Sequence, residues 1–300
     1  MKNPSPHGSR SHQLAAEMWL VLVVLIWAAN YPLSKYALGR MDPFIFNAIR
    51  YCTAALVARS IMLFRDSSVP VAPADRSRFL RAGVVASIFY QILFVAGLAR
   101  ATAGNAAVIL STSPLWTVYI QARLHRDRIP TAMFSGMILS LAGVLLIIVG
   151  GGTKFGFASS EFAGDLILFG AALLWGLNSN LQKPLLTTYS PLQLSWIFFL
   201  IGAVGLTAIA IPVLVSSGLG GAGWGEGGAA VLSGAFSIGI GNLYWSHGVK
   251  VLGPGKTANF NNLVPVVAIG LSYLTLHETL TALQLIGTSV TVIGVWIARR

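Results

Sequence analysis

The chain carries the stretch WAANYPLSKYAL at residues 27–38 and a related stretch, WGLNSNLQKPLL, at residues 175–186. Trp, Asn and Lys stand at the same places in both stretches, and further matches continue at almost the same offset. Those later pairs are Gln91 with Asn242, Gly97 with Gly248, Gly104 with Gly255, Pro114 with Pro265, Asp127 with Glu278, Gly136 with Gly287 and Gly143 with Gly294. The chain is therefore a duplication, and each copy consists of apolar segments.

The composition is typical of a chain that lies in lipid. Hydrophobic residues make up 55% of the chain and charged residues 10%, whereas a soluble domain carries roughly 25% charged residues. Ten apolar segments are long enough to cross a hydrocarbon core of roughly 30 Å as helices. They are predicted at residues 17–38, 44–64, 79–100, 103–122, 130–151, 164–185, 192–215, 228–251, 255–276 and 280–298. We expect an all-α integral membrane protein with ten transmembrane helices.

The charges in the loops predict the topology. With the N-terminus in the cytoplasm, fourteen Lys and Arg residues fall in inside loops and tails, and four (Lys35, Arg40, Arg100 and Lys154) fall outside. This bias favours cytoplasmic N- and C-termini. Each repeat holds five spans, an odd number, so the two repeats are predicted to have inverted topologies. The predicted parts are a flexible tail at 1–13, a first repeat at 14–151, a connecting loop at 152–163 and a second repeat at 164–300.

The ten-helix pattern resembles the drug/metabolite transporter (DMT) superfamily, in its ten-helix EamA branch. The resemblance covers roughly residues 14–298 and rests on the duplicated stretch, on Arg50, on the prolines of the fourth and ninth helices, and on Asp127 and Glu278. Within the branch, the chain is similar to bacterial exporters of amino acids and related metabolites, including the YddG-type aromatic amino-acid exporters. The resemblance implies export across a bacterial inner membrane, although the branch handles many small molecules on one scaffold.

Amide and aromatic side chains stand at matched positions inside the predicted helices. Polar groups at membrane depth are costly and often mark a pathway, and amides with rings suit a central cavity for a zwitterion with an apolar side chain. The alternative is that these amides hold helices together. The predicted substrate-binding residues of this part are Asn30, Tyr90, Gln91, Phe94, Asn178, Asn242, Tyr244 and Trp245.

Pro114 and Pro265 stand near the centres of the fourth and ninth predicted helices. A proline removes one backbone hydrogen bond and frees a carbonyl four residues earlier. The neighbours are polar: Ser111 to Ser113 precede Pro114, and Asn259, Asn261 and Asn262 precede Pro265. Two interpretations stay open, a hinge that offers backbone groups to substrate, with Asn259 and Asn262 as further ligands, and a static kink satisfied by those side chains.

Arg50 lies about two turns inside the second helix, and Phe198 stands at the matched position in the second copy. Its guanidinium is a candidate anchor for a substrate carboxylate through bidentate hydrogen bonds. The alternative, which we favour from the sequence, is that it reaches to the outer interface. We expect the same snorkelling role for Lys35 and Lys183, and close helix packing for Gly136, Gly143, Gly287 and Gly294.

The acidic residues all fall in loops or at ends of predicted helices, and the His residues lie in tails, loops or near a helix end. Proton-driven carriers usually need a carboxylate or His inside the membrane, so we expect facilitated transport or a weak, non-obligatory coupling to protons. No clustered nucleophile, base or metal ligand is evident, which argues against an enzyme, a metal site and a cofactor. One cysteine, Cys52, excludes an internal disulfide.

The function expected from these patterns is export of small metabolites, amino acids above all and aromatic ones included, by alternating access around a central cavity. The alternatives are a multidrug or neutral-metabolite exporter of the same fold, and a passive channel. The expected partners are a small-molecule substrate and the lipid bilayer, with no nucleic acid, and we expect a monomer.

Overall fold

The computed structural model describes residues 10–64, 68–125, 131–150, 160–219, 221–252, 257, 260–261 and 263–297, and all regular structure within these ranges is helical. The helices are α1 (Arg10–Leu38), α2 (Pro43–Phe64), α3 (Pro73–Arg100), α4 (Ala103–Leu110), α5 (Ser113–His125), α6 (Thr131–Gly150), α7 (Ser160–Leu186), α8 (Pro191–Ser217), α9 (residues 224–252), α10 (Leu263–Leu276) and α11 (Ala282–Ile297). By length and composition, α1, α3, α7 and α8 are long and apolar enough to cross a membrane, and α6, α10 and α11 are shorter apolar helices.

Each predicted span overlaps a described helix, with differences at three places besides the start of α10 at Leu263. Residues 10–13, predicted as part of a flexible tail, already belong to α1, because they contain no Gly or Pro that would stop the helix. Helix α3 starts at Pro73, earlier than predicted, since proline is well tolerated in the first turn of a helix. The span predicted at 103–122 is two helices, α4 and α5, with a break at Ser111 and Thr112.

Helices α3 and α9 each contain a π-helical segment, which the sequence analysis did not predict. The segments are Val85–Phe89 in α3 and Ser233–Gly241 in α9, at matched places in the two copies. The matched amides Gln91 and Asn242 lie just after them. A π-helical turn alters the regular backbone pairing and is frequent at functional sites, so both segments place polar groups where the two copies meet.

Helices α6 and α11 pack against each other through the four matched glycines, which confirms the packing role predicted for them. A Cβ added to Gly287 would stand 2.7 Å from the carbonyl oxygen of Gly143, and one added to Gly294 would stand 2.7 Å from that of Gly136. The contacts are reciprocal, since Gly136 matches Gly287 and Gly143 matches Gly294. An interface that relates equivalent positions in this way is isologous.

The same reciprocity extends to the first and third helices of each copy. Gly97 of α3 packs on Leu168 of α7, and its counterpart Gly248 of α9 packs on Leu20 of α1. Helix α4 lies at the centre, where every one of its residues is buried. The two copies therefore pack against one another through several pairs of helices. A polar site is expected in the space between them.

The glycine contact predicts an asymmetry between two Gly→Ala substitutions. In Gly143→Ala the new methyl would overlap the backbone of Thr291, and such overpacking costs about 1–3 kcal/mol. In Gly270→Ala of α10 nothing lies within 4 Å of the new methyl, and removing a helical glycine stabilises by about 0.5–1 kcal/mol. Thermal unfolding of both purified variants in detergent should show a lower Tm for the first alone. An equal Tm in the two variants would contradict the close approach of α6 and α11.

Candidate functional site

A central cavity lies between the two copies. It is bounded by α1, α2, α3, α4 and the break after it on one side, and by α7, α9 and α10 on the other. Its lining consists of Trp27, Asn30, Tyr31, Arg50, Tyr90, Gln91, Phe94, Ala107, Leu110, Ser111, Ser113, Trp175, Ser237, Ile238, Asn242, Asn261 and Val264. Aromatic rings, amides, hydroxyls and one guanidinium thus line one cavity.

Arg50 lies inside this cavity and is 2% exposed. Its Nη1 donates to Oδ1 of Asn47 at 3.1 Å and to Oε1 of Gln91 at 3.2 Å. The guanidinium also lies 5.1 Å from the ring centre of Phe46 and 5.5 Å from that of Phe94, within range for cation–π attraction. The prediction that Arg50 reaches to the membrane interface is wrong, because these neutral partners hold it between α2 and α3.

The charge of Arg50 is not balanced by an acidic side chain in the described part of the chain. The ion pairs found there join Arg40 to Glu226 and Arg78 to Asp75. The Nε of Arg50 is buried and has no hydrogen-bond partner among the described residues. A buried charge is costly unless it is paired, and among the described residues Arg50 is held by neutral groups alone.

Two amides, Asn30 and Asn242, line the cavity from α1 and α9, and each is matched to an amide in the other copy. Asn30 accepts hydrogen bonds from the hydroxyls of Ser34 and Ser233, so its carbonyl is fully engaged between the copies. Asn242 donates through Nδ2 to the carbonyl of Ile238 at 3.0 Å, inside the π-helical segment. Asn30 therefore links α1 to α9, whereas the hydrogen bond of Asn242 lies within α9, and both residues also line the cavity.

The apolar wall of the cavity is a run of aromatic rings. Trp27 and Trp175, which are matched in the two copies, meet edge to face with their ring centres 6.0 Å apart. Tyr90 lies 4.9 Å from Trp175 and continues the wall toward Phe94 at 6.1 Å. The indole N–H of Trp27 donates to the carbonyl of Ser237 at 3.1 Å, which fixes its orientation.

Of the predicted substrate-binding residues, the structure brings together Asn30, Tyr90, Gln91, Phe94, Asn242 and Arg50. Three other predicted residues, Asn178, Tyr244 and Trp245, are not part of the lining, so the prediction for them is wrong. Asn178 is buried but is not part of the lining, and its Oδ1 has no partner among the described residues. Tyr244 stacks on Trp19 with ring centres 4.2 Å apart, and Trp245 lies behind the lining against Trp27. Asn259 and Asn262 lie outside the described residues.

The break between α4 and α5 is satisfied by its own side chains. The hydroxyl of Ser111 donates to the carbonyl of Val108 at 2.6 Å, that of Thr112 to Ile109 at 2.7 Å, and that of Ser113 to Leu110. The carbonyl of Leu110 is the one that Pro114 frees. This arrangement supports the static-kink interpretation, while Leu110, Ser111 and Ser113 also line the cavity.

Pro265 was predicted near the centre of a helix, but it lies in the first turn of the described helix α10. Proline is well tolerated there, because the first N–H groups of a helix have no partner within it. The carbonyl of the preceding Asn261 accepts from the N–H of Val264 at 3.2 Å. Asn261 lines the cavity from the turn that precedes α10, and Pro265 lies in the first turn of that helix.

Lys35 has hydrogen-bond partners within the protein, at the end of α3. Its ammonium donates to the carbonyls of Leu98, Ala99 and Ala101 at 3.0, 3.3 and 2.5 Å. These carbonyls lie at the C-terminus of α3, where a cation stabilises both the free oxygens and the helix dipole. Lys183, its counterpart, is exposed.

Two acidic residues hold α4 at the same end of the molecule. The carboxylate of Glu278 accepts from the backbone N–H of Ala103 at 3.0 Å and of Gly104 at 3.4 Å, as an anion at a helix N-terminus does. Asp165 accepts from Nδ2 of Asn105 at 3.2 Å. Asp165 does stand near a helix start, as predicted, but it is 0% exposed, and its burial was not foreseen.

Several cavity residues were missed by the sequence analysis. Trp27 and Trp175 opened the duplicated stretch, so their matched positions were a signal that could have found them. Tyr31 and Ser237 carry no matching partner of similar chemistry, and only the packing of α1 against the π-helical segment of α9 reveals them. Among the described residues, no group of three or more His, Cys, Asp or Glu is placed to hold a metal ion.

A bundle of apolar helices around a central polar and aromatic cavity defines a multi-pass membrane protein of the transporter class. The chain belongs to the EamA-like transporter family, whose model matches residues 14–149 and again residues 162–300. This match confirms the resemblance to the EamA branch of the DMT superfamily.

Curated relatives share about a quarter of their residues with this chain. The "Uncharacterized transporter YyaM" of Bacillus subtilis is 28% identical over 89% of this chain and 88% of its own. The "Probable terminal-alkyne amino-acid exporter" of Streptantibioticus cattleyicolor is 25% identical over 96% and 95%. The "Probable amino-acid metabolite efflux pump" of Salmonella typhimurium is 26% identical over 92% of each chain.

One solved crystal structure has the same fold. It superposes with a TM-score of 0.67 and covers 97% of this chain and 97% of its own, at 22% sequence identity. At this identity the likeness concerns the fold alone. The helical arrangement described above is therefore shared with a protein whose sequence has diverged widely.

The support that Gln91 gives to Arg50 is open to a direct test. In Gln91→Leu, the guanidinium loses one of its two acceptors, and a hydrogen bond to a buried charged group contributes about 1.5–3 kcal/mol. The Tm of the purified protein should fall. Gln121→Leu on α5 is the control, because Gln121 makes no side-chain hydrogen bond among the described residues, and its Tm should stay close to that of wild type. Equal losses in both variants would show that Gln91 does not hold Arg50.

Proposed function

We propose that the chain forms ten transmembrane helices in two inverted-topology repeats of five, with cytoplasmic termini, in a bacterial inner membrane. The bias of Lys and Arg to alternate loops supports this topology. The two separate matches of one family model and the reciprocal contacts of the matched glycines support the duplication. In this arrangement α4 and α5 form the fourth span together.

The topology predicts which helix ends face the cytoplasm. We choose Ser77 near the start of α3 and Ser216 near the end of α8, since both side chains are exposed. In a Cys52→Ser background, a membrane-impermeant thiol reagent applied to intact cells should label Ser216→Cys. It should label Ser77→Cys only after permeabilisation. The opposite pattern would invert the topology, and labelling of both from one side would exclude it.

The protein functions as an exporter of small metabolites, most of all amino acids, aromatic ones included. One observation carries this proposal: the cavity between the copies combines the buried, unpaired Arg50 with amides and an aromatic wall. A guanidinium recognises a carboxylate, amides and hydroxyls bind its other polar groups, and rings cover an apolar side chain. The printed names of two relatives as amino-acid exporters or efflux pumps support the same class.

The mechanism we propose is alternating access. Two copies with opposite orientations give two related arrangements around one site, one open to each side of the membrane. Transport is facilitative, because no carboxylate or imidazole lines the cavity in the described part of the chain, and a coupling proton would need such a group beside the substrate.

Uptake of radiolabelled L-phenylalanine into liposomes that contain the purified protein tests this function. We expect saturable uptake that other amino acids compete, that phenylalanine on the opposite side accelerates, and that a pH gradient leaves unchanged. Flux without saturation or acceleration would indicate a channel. Saturable binding of neutral drugs together with no amino-acid flux would favour the multidrug alternative, and uphill uptake driven by a pH gradient would contradict the facilitative mechanism.

A further inference from the structure

The lining of the central cavity carries one formal charge. Of its residues in the described part of the chain, Arg50 alone is ionised at neutral pH, and the others are aromatic, amide, hydroxyl or aliphatic. The partners of Arg50 are neutral: amide oxygens of Asn47 and Gln91 and the faces of two rings. The described lining therefore carries a net positive charge on a side chain that is buried from water.

The charge of the substrate decides how this imbalance is resolved. A monoanionic carboxylate neutralises Arg50 and leaves the loaded cavity without net charge. A zwitterionic amino acid also brings an ammonium group, so the loaded cavity keeps its positive charge, and an amine without a carboxylate would double it. Because an uncompensated ion in a low-dielectric site is costly, these three ligands should bind in that order.

The cavity offers an ammonium group only weak compensation. The oxygen of Asn30 already accepts from Ser34 and Ser233, and the rings of Trp27, Tyr90 and Trp175 attract a cation less strongly than a carboxylate does. No acidic side chain of the described chain reaches the lining. Asp165 and Glu278, the buried and capping acids, are engaged at α4 instead.

On these grounds, and resting on the proposed transport function, we propose that the site binds aromatic monocarboxylates without an ammonium group more tightly than it binds amino acids. Their carboxylate pairs with Arg50 and their ring lies against the wall formed by Trp175, Tyr90 and Phe94. Amino acids bind the same site less tightly, and the corresponding amines are excluded. The preference follows from the charge of the lining and from the geometry of the rings, both of which are described above.

Three ligands that differ in one group each test this preference. They are L-phenylalanine, L-3-phenyllactate, in which a hydroxyl replaces the ammonium, and 2-phenylethylamine, which lacks the carboxylate. Isothermal titration of each into the purified wild-type protein should show phenyllactate binding at least ~10-fold more tightly than phenylalanine, with no binding of the amine. Tighter binding of phenylalanine than of phenyllactate, or measurable binding of the amine, would overturn the preference.

Three variants at two arginines of α2 test whether Arg50 causes the preference. Arg50→Gln should weaken phenyllactate binding at least ~100-fold, and Arg59→Gln should leave it unchanged, because Arg59 is exposed and lies over the ring of Trp196. Arg50→Lys keeps the charge and should keep the order of the three ligands at lower affinity. Size-exclusion profiles show whether each variant folds. If Arg50→Gln does not fold, the order in which the three ligands bind to the wild-type protein decides whether the preference exists. Unchanged affinity in folded Arg50→Gln would refute the role of Arg50.

Transport of the same ligands separates this inference from the proposed function. If both phenyllactate and phenylalanine exchange across proteoliposome membranes and phenyllactate competes better, both proposals stand. If phenylalanine is carried and preferred, the inference fails and the amino-acid function stands. If phenyllactate alone is carried, the inference stands and the proposal that amino acids are substrates is wrong. If neither ligand is carried or bound, both proposals fail.

Discussion

Every backbone group that a helix leaves free inside the bilayer must find a partner within the protein, because lipid offers none. This constraint explains the positions of the polar residues in and around α4. Hydroxyls such as that of Ser113 satisfy the carbonyls at the break, Lys35 satisfies those at the end of α3, and Glu278 accepts from the free N–H groups that start α4. The cavity lies beside this break, where the chain already bears the cost of irregular backbone.

The site arises from the meeting of two copies and does not belong to either. Trp27 contacts its counterpart Trp175, and the cavity extends from this contact into the first copy toward Arg50 and Gln91. The two halves nevertheless contribute unequally. Asn30 lines the cavity, whereas its counterpart Asn178 is buried outside the lining. A symmetric scaffold thus holds an asymmetric site.

The duplicated pattern made most of the fold predictable, since apolar length, loop charge and matched glycines depend on local sequence. Helix bounds were recovered closely, and the glycines pack as expected. The π-helical segments and the break at Ser111 were not predictable from periodicity, because both are decided by backbone partners in other helices. The position of Arg50 was misjudged for the same reason: Asn47 and Gln91, which keep it inside, are recognised only when α2 and α3 are seen together.

The reciprocal glycine contact between α6 and α11 has a consequence for how such a protein can change over generations. Each half presents the other with the same surface, so the interface is one that two copies of a shorter, identical chain could also form. Two identical chains would, however, place a guanidinium on both sides of the cavity. Joining the halves in one polypeptide lets each position vary alone, so that Arg50 can face the cavity while Phe198 occupies the matched place. Covalent fusion is therefore what makes a singly charged site compatible with this symmetry.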